Sequence, residues 1–276
     1  MVATDRLAIV ELGADDGPGG LALSREADWN QNEADWRFFL GAGTVFGIRD
    51  PDHRLIATAA LLPYGSGNAW ISMVLVTAPW RRRGLATRLV DACLAAAARD
   101  RLTPWLDATP AGAAVYGPLG FAPTLQLRRL RLQSANRTAA GAPQLEAGNA
   151  DDFAARDRRA MGFDRSALLA EFCSRPNSLK WSSGNAIGLV RDGRTCRHIG
   201  PLFADHPDQA LALVDGIIRS ETGGVLIDVV STQVTFLEGL TARGWRHERP
   251  FQRMRFGGAA ADAADLPFAV AGPEYG

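Results

Sequence analysis

The amino-acid sequence predicts a mixed α/β (α+β) protein in which the same fold occurs twice. β-Rich runs alternate with helical patterns of apolar residues along most of the 276 residues. The order of these elements in residues 1–133 recurs in residues 149–257. Residues 134–148 are small, polar and interrupted by Gly and Pro, which is typical of a linker. Residues 258–276 form a tail that we expect to be partly docked, so the sequence predicts two domains, a linker and a tail.

The elements of the first domain follow from apolar periodicity and from turn residues. Asn32 can cap a helix, and Asp35 follows at close to the spacing of a capping box. The run 50–53 (Asp-Pro-Asp-His) has the composition of a turn between two strands. In chain order we predict a strand at 7–16, helices at 18–29 and 33–41, strands at 43–49, 54–62 and 69–78, a helix from 85, a strand at 104–109, a short helix at 111–120 and a strand at 125–132.

The second domain repeats this order with weak sequence similarity. The best match between the halves places Asp107 on Asp228 and Gly120 on Gly244. We predict helices at 151–161 and 165–174, strands at 178–182, 185–191 and 196–204, a helix at 207–220, a strand at 224–230, a helix at 232–243 and a strand at 248–256.

Composition excludes several classes of protein. Thirty acidic and thirty basic residues balance, which argues against a nucleic-acid binder that works by neutralising phosphates. The three cysteines are an odd number, lie far apart and form no CxxC, so we expect neither a disulfide framework nor a metal site. With no leader and no apolar run that could span a bilayer, the sequence predicts a cytoplasmic protein without a membrane partner.

One stretch, APWRRRGLATRL (78–89), concentrates positive charge where an apolar strand turns into a helix. The first N–H groups of a helix and its dipole attract anions, and arginine side chains can hold phosphate oxygens. Gly84 and Ala86 are small enough for a phosphate to approach the main chain. The pattern predicts a site for a pyrophosphate; the alternative is a solvated basic cap on a buried helix. It matches neither a P-loop nor G-x-G-x-x-G.

Two motifs resemble those of the GNAT acetyltransferase superfamily. Arg81, Gly84 and Ala86 match the superfamily's [RQ]-x-x-G-x-[GA], and VYGPLGF resembles its later Y-x-x-x-G-F, with Tyr116 as the tyrosine. DWNQNEADW, WISMVLV and LDATPAG also resemble the narrower group of YitH-like tandem acetyltransferases. The resemblance implies tandem GNAT folds, each a twisted, mostly antiparallel mixed sheet flanked by helices.

The resemblance also implies acetyl-CoA as cosubstrate and assigns residues to it. The pyrophosphate would sit on the main chain after Arg81, and the pantetheine arm would pair with a strand edge, where an N–H polarises the thioester. The residues implied are Met73, Val74, Val76, Arg81, Arg82, Arg83, Gly84, Leu85 and Ala86. The second domain lacks the arginine motif and has Leu240 at the tyrosine position, so we expect it not to bind CoA.

Acyl transfer to an amine requires loss of a proton from the ammonium and protonation of the leaving thiolate. The resemblance implies Tyr116 as the general acid; an aromatic core residue is the alternative. The strand at 69–78 has no glutamate to act as base, and Ser72 is its only interior polar residue. Asp107 either takes the proton, holds the ammonium or is a turn carboxylate before Thr109-Pro110.

The segment between the first two helices is the candidate acceptor wall. Trp29, Asn30 and Gln31 suit a small polar substrate with an apolar part, and Ser72 is placed with them; a packed loop is the alternative. The sequence thus predicts an acyl-CoA-dependent N-acetyltransferase that moves an acetyl group to a small primary amine by direct attack in a ternary complex. The alternative is a non-catalytic CoA-binding or regulatory module. Either a monomer or a homodimer fits.

Overall fold

The computed structural model describes residues 7–134, 144–258 and 266–276. The predicted linker therefore lies outside the described residues from 135 to 143, and the predicted tail lies outside them from 259 to 265. The predicted order of strands and helices is confirmed in both halves, with shifts of a few residues at most element ends.

The first half contains six strands and four helices in the described residues. They are β1 (Ile9–Glu11), α1 (Gly17–Glu26), α2 (Glu33–Ala42), β2 (Thr44–Arg49), β3 (Leu55–Tyr64), β4 (Asn68–Val76), α3 (Leu85–Arg99), β5 (Thr103–Ala108), α4 (Pro110–Tyr116) and β6 (Phe121–Leu132). The strand predicted at 7–16 ends early because residues 14–16 form a 3-10 turn into α1. The helix predicted at 18–29 ends at Glu26 because Asp28 adopts a left-handed conformation (φ 53°).

The second half contains six strands and four helices in the described residues. They are β7 (Glu146–Ala147), α5 (Ala150–Met161), α6 (Ser166–Ser174), β8 (Leu179–Ser183), β9 (Ala186–Arg191), β10 (Arg197–Phe203), α7 (Pro207–Ser220), β11 (Val225–Val230), α8 (Val234–Ala242) and β12 (Arg246–Phe256). β7 is a two-residue strand inside the range predicted as linker, and it pairs with β8.

Local chemistry sets the helix starts beside the site. Asn32 accepts the Asp35 N–H at 3.1 Å, and the Asp35 carboxylate accepts the Asn32 N–H at 2.9 Å, which confirms the predicted capping box at α2. Thr109 caps α4 by accepting the Gly112 N–H at 3.2 Å, with Pro110 in the first helical position. α4 borders the cavity, and α2 follows directly after the loop that supplies Trp29 and Gln31 to the cavity wall.

All twelve strands form one mixed sheet, in the order β1-β2-β3-β4-β5-β12-β6-β11-β10-β9-β8-β7. The halves exchange their last strands: β12 lies between β5 and β6, and β6 lies between β12 and β11. Two pairs are parallel, β4 with β5 and β10 with β11, and the others are antiparallel. The predicted fold class is confirmed. Because of the exchange, the central sheet is built from both halves, while the predicted domain boundaries stay a prediction.

The sheet opens at two equivalent places. β4 and β5 pair only over Asn68–Trp70, and the rest of each strand diverges from the other. β10 and β11 likewise pair only over the first residues of β10, Arg197 to Ile199. On the β4 side, α3 packs against the sheet through Leu85, Leu89 and Cys93, which are all buried, as the helical periodicity predicts.

The chain's last described segment, 266–276, occupies the second opening. Ala269 bridges Leu202 of β10 and Val229 of β11, and the Leu202 N–H donates to the Ala269 carbonyl at 2.9 Å. The Val270 N–H donates to the Asp228 carbonyl of β11 at 2.9 Å. The opening between β10 and β11 is therefore filled by main chain, whereas the opening between β4 and β5 is a cavity.

Candidate active site

The cavity lies where β4 separates from β5, and its volume is about 110 Å³. A cavity of about 150 Å³ is enough for one benzene ring, so this space suits the reacting ends of small molecules. Its walls come from both halves of the chain and from the tail. They are formed by Trp29, Gln31, Ile71, Ser72, Met73, Val74, Leu106, Asp107, Ala108, Thr109, Gly112, Tyr116, Arg129, Arg249, Phe251, Pro273 and Glu274.

Seven residues that the sequence assigned to the site share this cavity. They come from the loop between α1 and α2, from β4, from the end of β5 and from the end of α4. They are Trp29, Gln31, Ser72, Met73, Val74, Asp107 and Tyr116. Their convergence follows from the sheet order, because β4 and β5 are neighbours and α4 starts directly after β5.

Two polar atoms in the cavity wall have no hydrogen-bond partner among the described residues. They are Oε1 of Gln31 and Oγ of Ser72, and both are buried. Buried polar groups are nearly always paired, and leaving one unpaired costs about 1–3 kcal/mol. The wall residues Gln31 and Ser72 thus each carry a hydrogen-bond acceptor that no described residue uses.

Tyr116 stands at the end of α4 with its ring against Phe121, at a centroid distance of 6.0 Å. Burial raises the pKa of the Tyr116 phenol to about 12, with a smaller contribution from Cys93. The phenol therefore stays protonated at neutral pH, which is the form required of a proton donor. Cys93 is itself a buried residue of α3 that faces the core, and burial raises the pKa of its thiol to about 12.

β4 has an irregular register opposite β3 in the middle of the cavity wall. The pairing shifts between Thr58 and Ala60, and Met73 adopts a left-handed conformation with φ 51°. This is uncommon for a residue other than Gly. The Thr58 hydroxyl donates to the Met73 carbonyl at 2.8 Å and holds the distortion. The bulge bends β4 where it leaves β5, as bulges commonly do beside binding sites.

Asp107 has a partner that the sequence did not indicate. Arg253 of β12 donates from Nε and Nη2 to the two carboxylate oxygens, each at 2.8 Å, and both side chains are buried. Burial raises the pKa of the Asp107 carboxyl, and the charge of Arg253 opposes this rise. Thr109, not Asp107, caps α4. The carboxylate is thus a buried partner of Arg253 in the cavity wall and not the cap of α4, while its role towards a substrate stays a prediction.

Asn30 does not line the cavity, which changes the expectation for it. Its Oδ1 accepts the Thr195 N–H at 2.9 Å and the Cys196 N–H at 3.2 Å, and its Nδ2 donates to the Cys196 carbonyl at 3.0 Å. The amide therefore joins the α1–α2 loop to the start of β10 in the second half. Trp29 and Gln31, on either side of it in the chain, remain in the cavity wall.

The arginine turn begins where β4 ends. Gly84 has φ +78° and precedes α3, and no atom lies within 4 Å of the position that a Cβ would take. The first N–H groups of α3 have no partner within the helix and no side-chain cap. Arg82 and Arg83 are exposed beside this open space, with Arg83 over the Trp80 ring at 4.9 Å.

Arg81 braces the turn. Its Nε donates to the Val76 carbonyl at 2.9 Å, and Nη2 lies 4.0 Å from the Glu26 carboxylate. Glu26 also accepts from the Thr77 hydroxyl and the Ala78 N–H, each at 2.6 Å, and these hydrogen bonds lower its pKa. Arg81 therefore fixes the shape of the turn, while Arg82 and Arg83 present the charge.

Ten of the cavity residues were not assigned by sequence reasoning, and four of these come from the second half and the tail. Arg249 and Phe251 lie on β12, and Pro273 and Glu274 lie on the tail. The apolar residues Phe268, Val270 and Tyr275 were the available signal that the tail returns to the body of the protein. Nothing in the local sequence indicated which cavity it would reach.

The described ranges contain no group of three or more His, Cys, Asp or Glu side chains that could hold a metal ion. Their three cysteines are all free. None of the helices described is both long enough and apolar enough to cross a bilayer.

Family models match both halves of the chain. A model described as the acetyltransferase (GNAT) family matches residues 11–121, and one described as an acetyltransferase (GNAT) domain matches residues 154–265. Together they cover more than half of the chain. The first match includes the arginine turn, the cavity strands and Tyr116.

Relatives agree with these matches over almost the full length. YitH of Bacillus subtilis (strain 168), described as an uncharacterized N-acetyltransferase, is 24% identical over 250 residues, which are 87% of this chain and 88% of YitH. A candidate acetyltransferase from Pyrococcus horikoshii has the same fold, with a TM-score of 0.83 and 18% identity over 100% of this chain and 98% of its own. A tandem GNAT protein from the clavulanic acid biosynthesis pathway has a TM-score of 0.65 and 15% identity over 93% and 100%.

GNAT enzymes use acetyl-CoA as cosubstrate and act on small acceptors, and these findings favour an enzyme over a non-catalytic module. The chain belongs to the GNAT acetyltransferase superfamily as a YitH-like protein with two GNAT domains in tandem, and it is an N-acetyltransferase.

Proposed function

We propose that this protein transfers the acetyl group of acetyl-CoA to a small primary amine by direct attack within one ternary complex. The observation that carries the proposal is the cavity between β4 and β5. There the Tyr116 phenol shares one wall with two buried polar atoms that have no described partner, Gln31 Oε1 and Ser72 Oγ.

The donor fits along a continuous path on the first half. The main chain at Gly84 is open and followed by the free N–H groups of α3, which suits the pyrophosphate, with Arg82 and Arg83 contributing charge. From there β4 leads back through Val76 to Val74 and Met73 in the cavity wall. The edge of β4 beyond Trp70 is not paired with β5, so the pantetheine arm can lie against it as an added strand.

The acceptor end of the cavity suits an ammonium group. Gln31 Oε1 and Ser72 Oγ can each accept an N–H, and the Trp29 ring supplies an apolar surface beside them. The volume of about 110 Å³ admits the amino group and its nearest atoms but not a folded polypeptide. These features support a small molecule, or the end of a flexible chain, as the acceptor.

Tyr116 is assigned the role of general acid. As the amine forms its C–N bond to the acyl carbon, the C–S bond breaks and the phenol protonates the departing sulfur. The raised pKa means that the phenol carries its proton at neutral pH and can act as a hydrogen-bond and proton donor to the sulfur. The buried thiol of Cys93 lies in the core and takes no part, so no covalent acyl-enzyme is required.

A panel of primary amines with acetyl-CoA, read as release of free thiol, tests the proposal. We expect at least one small amine to release thiol well above the rate of acetyl-CoA hydrolysis. The Tyr116→Phe variant should lower kcat by about 10²-fold and leave the Kd for acetyl-CoA within about twofold, equivalent to less than about 0.5 kcal/mol. No amine-dependent thiol release, or a Tyr116→Phe variant as fast as the wild type, contradicts it.

A further inference from the structure

We propose that Glu274, on the tail, is the base that accepts the proton of the amine in the cavity of the first half. Glu274 lines the same cavity as Tyr116, Gln31 and Ser72. β4, where a glutamate is missing, forms another wall of that cavity. This inference rests on the proposed function and names the residue that completes it.

The second half holds the tail in position. Main-chain hydrogen bonds from residues 268–270 fill the opening between β10 and β11. Beyond this segment, Arg191 of β9 donates to the Ala271 carbonyl at 2.6 Å, and the Trp70 indole of β4 donates to the Pro273 carbonyl at 2.9 Å. The main chain is thus anchored at Ala271 and at Pro273, directly before Glu274.

The residue after Glu274 is also fixed. The Tyr275 hydroxyl donates to Asp35 Oδ1 at 2.7 Å, and the Tyr64 hydroxyl donates to the Tyr275 carbonyl at 2.9 Å. The Tyr275 ring is fully buried and stacks on Phe39 at 5.1 Å. A side chain between such anchors has few alternative positions, which is what a base in a small cavity requires.

Glu274 has fewer hydrogen-bond partners than Asp107, the other carboxylate of the cavity. Asp107 has both oxygens held by Arg253 at 2.8 Å. Glu274 has one contact of 3.4 Å, from Arg191 Nη2 to its Oε1, and Oε2 accepts no hydrogen bond from a described residue. Only 8% of the side chain is exposed, so a substrate ammonium would meet an incompletely satisfied carboxylate inside the protein.

Charged and titratable groups surround Glu274 from several strands. Arg191 of β9 contacts it directly, and Arg249 of β12 lines the same cavity. Arg129 of β6 and Asp107 of β5 are near enough for its charge to act on them. Tyr64 and Tyr275 interact with it in the same way. The arginines balance the carboxylate charge while leaving Oε2 available.

The proton balance of the reaction closes with these two residues. Glu274 takes one proton from R–NH₃⁺, and the lone pair of R–NH₂ forms the C–N bond while the C–S bond breaks. Tyr116 gives its proton to the sulfur, and the nitrogen then loses a second proton, which restores the phenol. The proton on Glu274 leaves to solvent, so the sum is amide, free thiol and one H⁺.

The Glu274→Gln variant tests the assignment against an amine that the wild type acetylates. Gln keeps the size of the side chain but cannot accept the proton, so we expect kcat/KM to fall by about 10²-fold or more near neutral pH. The rate should then rise with pH along the ionisation of the amine itself. The Kd for acetyl-CoA should stay within about twofold. Glu274→Asp should recover part of the rate.

Tyr275→Phe is the matched control, because it removes an anchor of the same tail but no group of the cavity. It should lower the stability and keep the wild-type pH profile. If Glu274→Gln keeps the wild-type rate, or loses activity together with Tyr275→Phe and without a changed pH profile, Glu274 is only part of the docking and the inference fails. If the wild type acetylates no amine, the proposed function itself is contradicted, and not only the role of Glu274.

Discussion

Arg253 donates two hydrogen bonds of 2.8 Å to Asp107, and these two residues belong to opposite halves of the chain. Arg129 holds Asp228 in the same way, also with two contacts of 2.8 Å. The strand exchange produces both pairs, since it lays β12 beside β5 and β6 beside β11. Each half therefore supplies the arginine that neutralises the other half's buried aspartate.

Removal of the arginine from one of these buried ion pairs should lower the stability of the protein. The Arg253→Met variant leaves the Asp107 carboxylate buried without a cation, and we expect the free energy of unfolding to fall by about 3–5 kcal/mol. Urea unfolding measures this change. Arg243→Ala is the control, because it removes a partly exposed ion pair with Asp215 and should cost less than about 1 kcal/mol. Equal losses in the two variants would show that the buried pair does not join the halves.

The open space over Gly84 should matter for binding, beyond the small loss of stability that an alanine at φ +78° causes. Gly84→Ala places a methyl group where the main chain is otherwise accessible, so we expect the Kd for acetyl-CoA to rise about tenfold. Gly162→Ala is matched to it, since Gly162 has φ +76°, also has no atom within 4 Å of a Cβ and lies at the end of α5. Calorimetric measurement of the Kd for acetyl-CoA in both variants separates the effect on phosphate binding from the general effect of an alanine at a left-handed position. A similar Kd for both would mean that the phosphates bind elsewhere.

The exposed charge of Arg82 and Arg83 should make the affinity for acetyl-CoA depend on the salt concentration. We expect the double variant Arg82→Ala/Arg83→Ala to bind acetyl-CoA more weakly than the wild type at low ionic strength. The difference should shrink towards about 1 M salt, where the Debye length falls to about 3 Å. Arg99→Ala, at the far end of α3, is the control for a lost charge on the same helix. A salt-independent loss would instead indicate a collapsed turn.

The raised pKa of Tyr116 sets the alkaline side of the pH profile. A phenol with a pKa of about 12 is still protonated at about pH 10, so the general acid is lost only above that range. We expect kcat to show no alkaline decline between about pH 8 and 10. Steady-state rates across this range check it. A decline that is present in the wild type and absent from Tyr116→Phe would mean that the phenol ionises earlier.

Much of the architecture was readable from short-range signals. The Asn32–Asp35 capping box, the Gly84 turn and the helical stripe of α3 each depend on residues a few positions apart, and each appears in the structure as predicted. The tyrosine of VYGPLGF was found through a motif, and its place in the cavity follows from the neighbouring strands β4 and β5.

Contacts between residues far apart in the chain could not be predicted from the sequence. Both halves end in an alternating strand with arginines, and nothing local indicates that the two strands exchange places. The exchange decides that Asp107 meets Arg253, 146 residues away, so the roles considered for Asp107 omitted its partner. Asn30 is a similar case, because its amide is used by main chain 165 and 166 residues away. Glu274 could be placed in the cavity only once the path of the tail was known.

Docking of the tail can be tested at Gly200 of β10. A Cβ on Gly200 would lie 2.0 Å from the Val270 carbonyl oxygen, and the residue has φ +151°, so a side chain there forces the tail away from β10. We expect Gly200→Ala to lower the free energy of unfolding by more than about 2 kcal/mol. Gly244→Ala, at a left-handed position with open space, should cost only about 1 kcal/mol.

Because displacement of residues 268–270 also withdraws Glu274 from the cavity, Gly200→Ala should lose amine acetylation while it still binds acetyl-CoA. A variant that unfolds like the wild type and acetylates normally would show that the tail does not depend on this close approach.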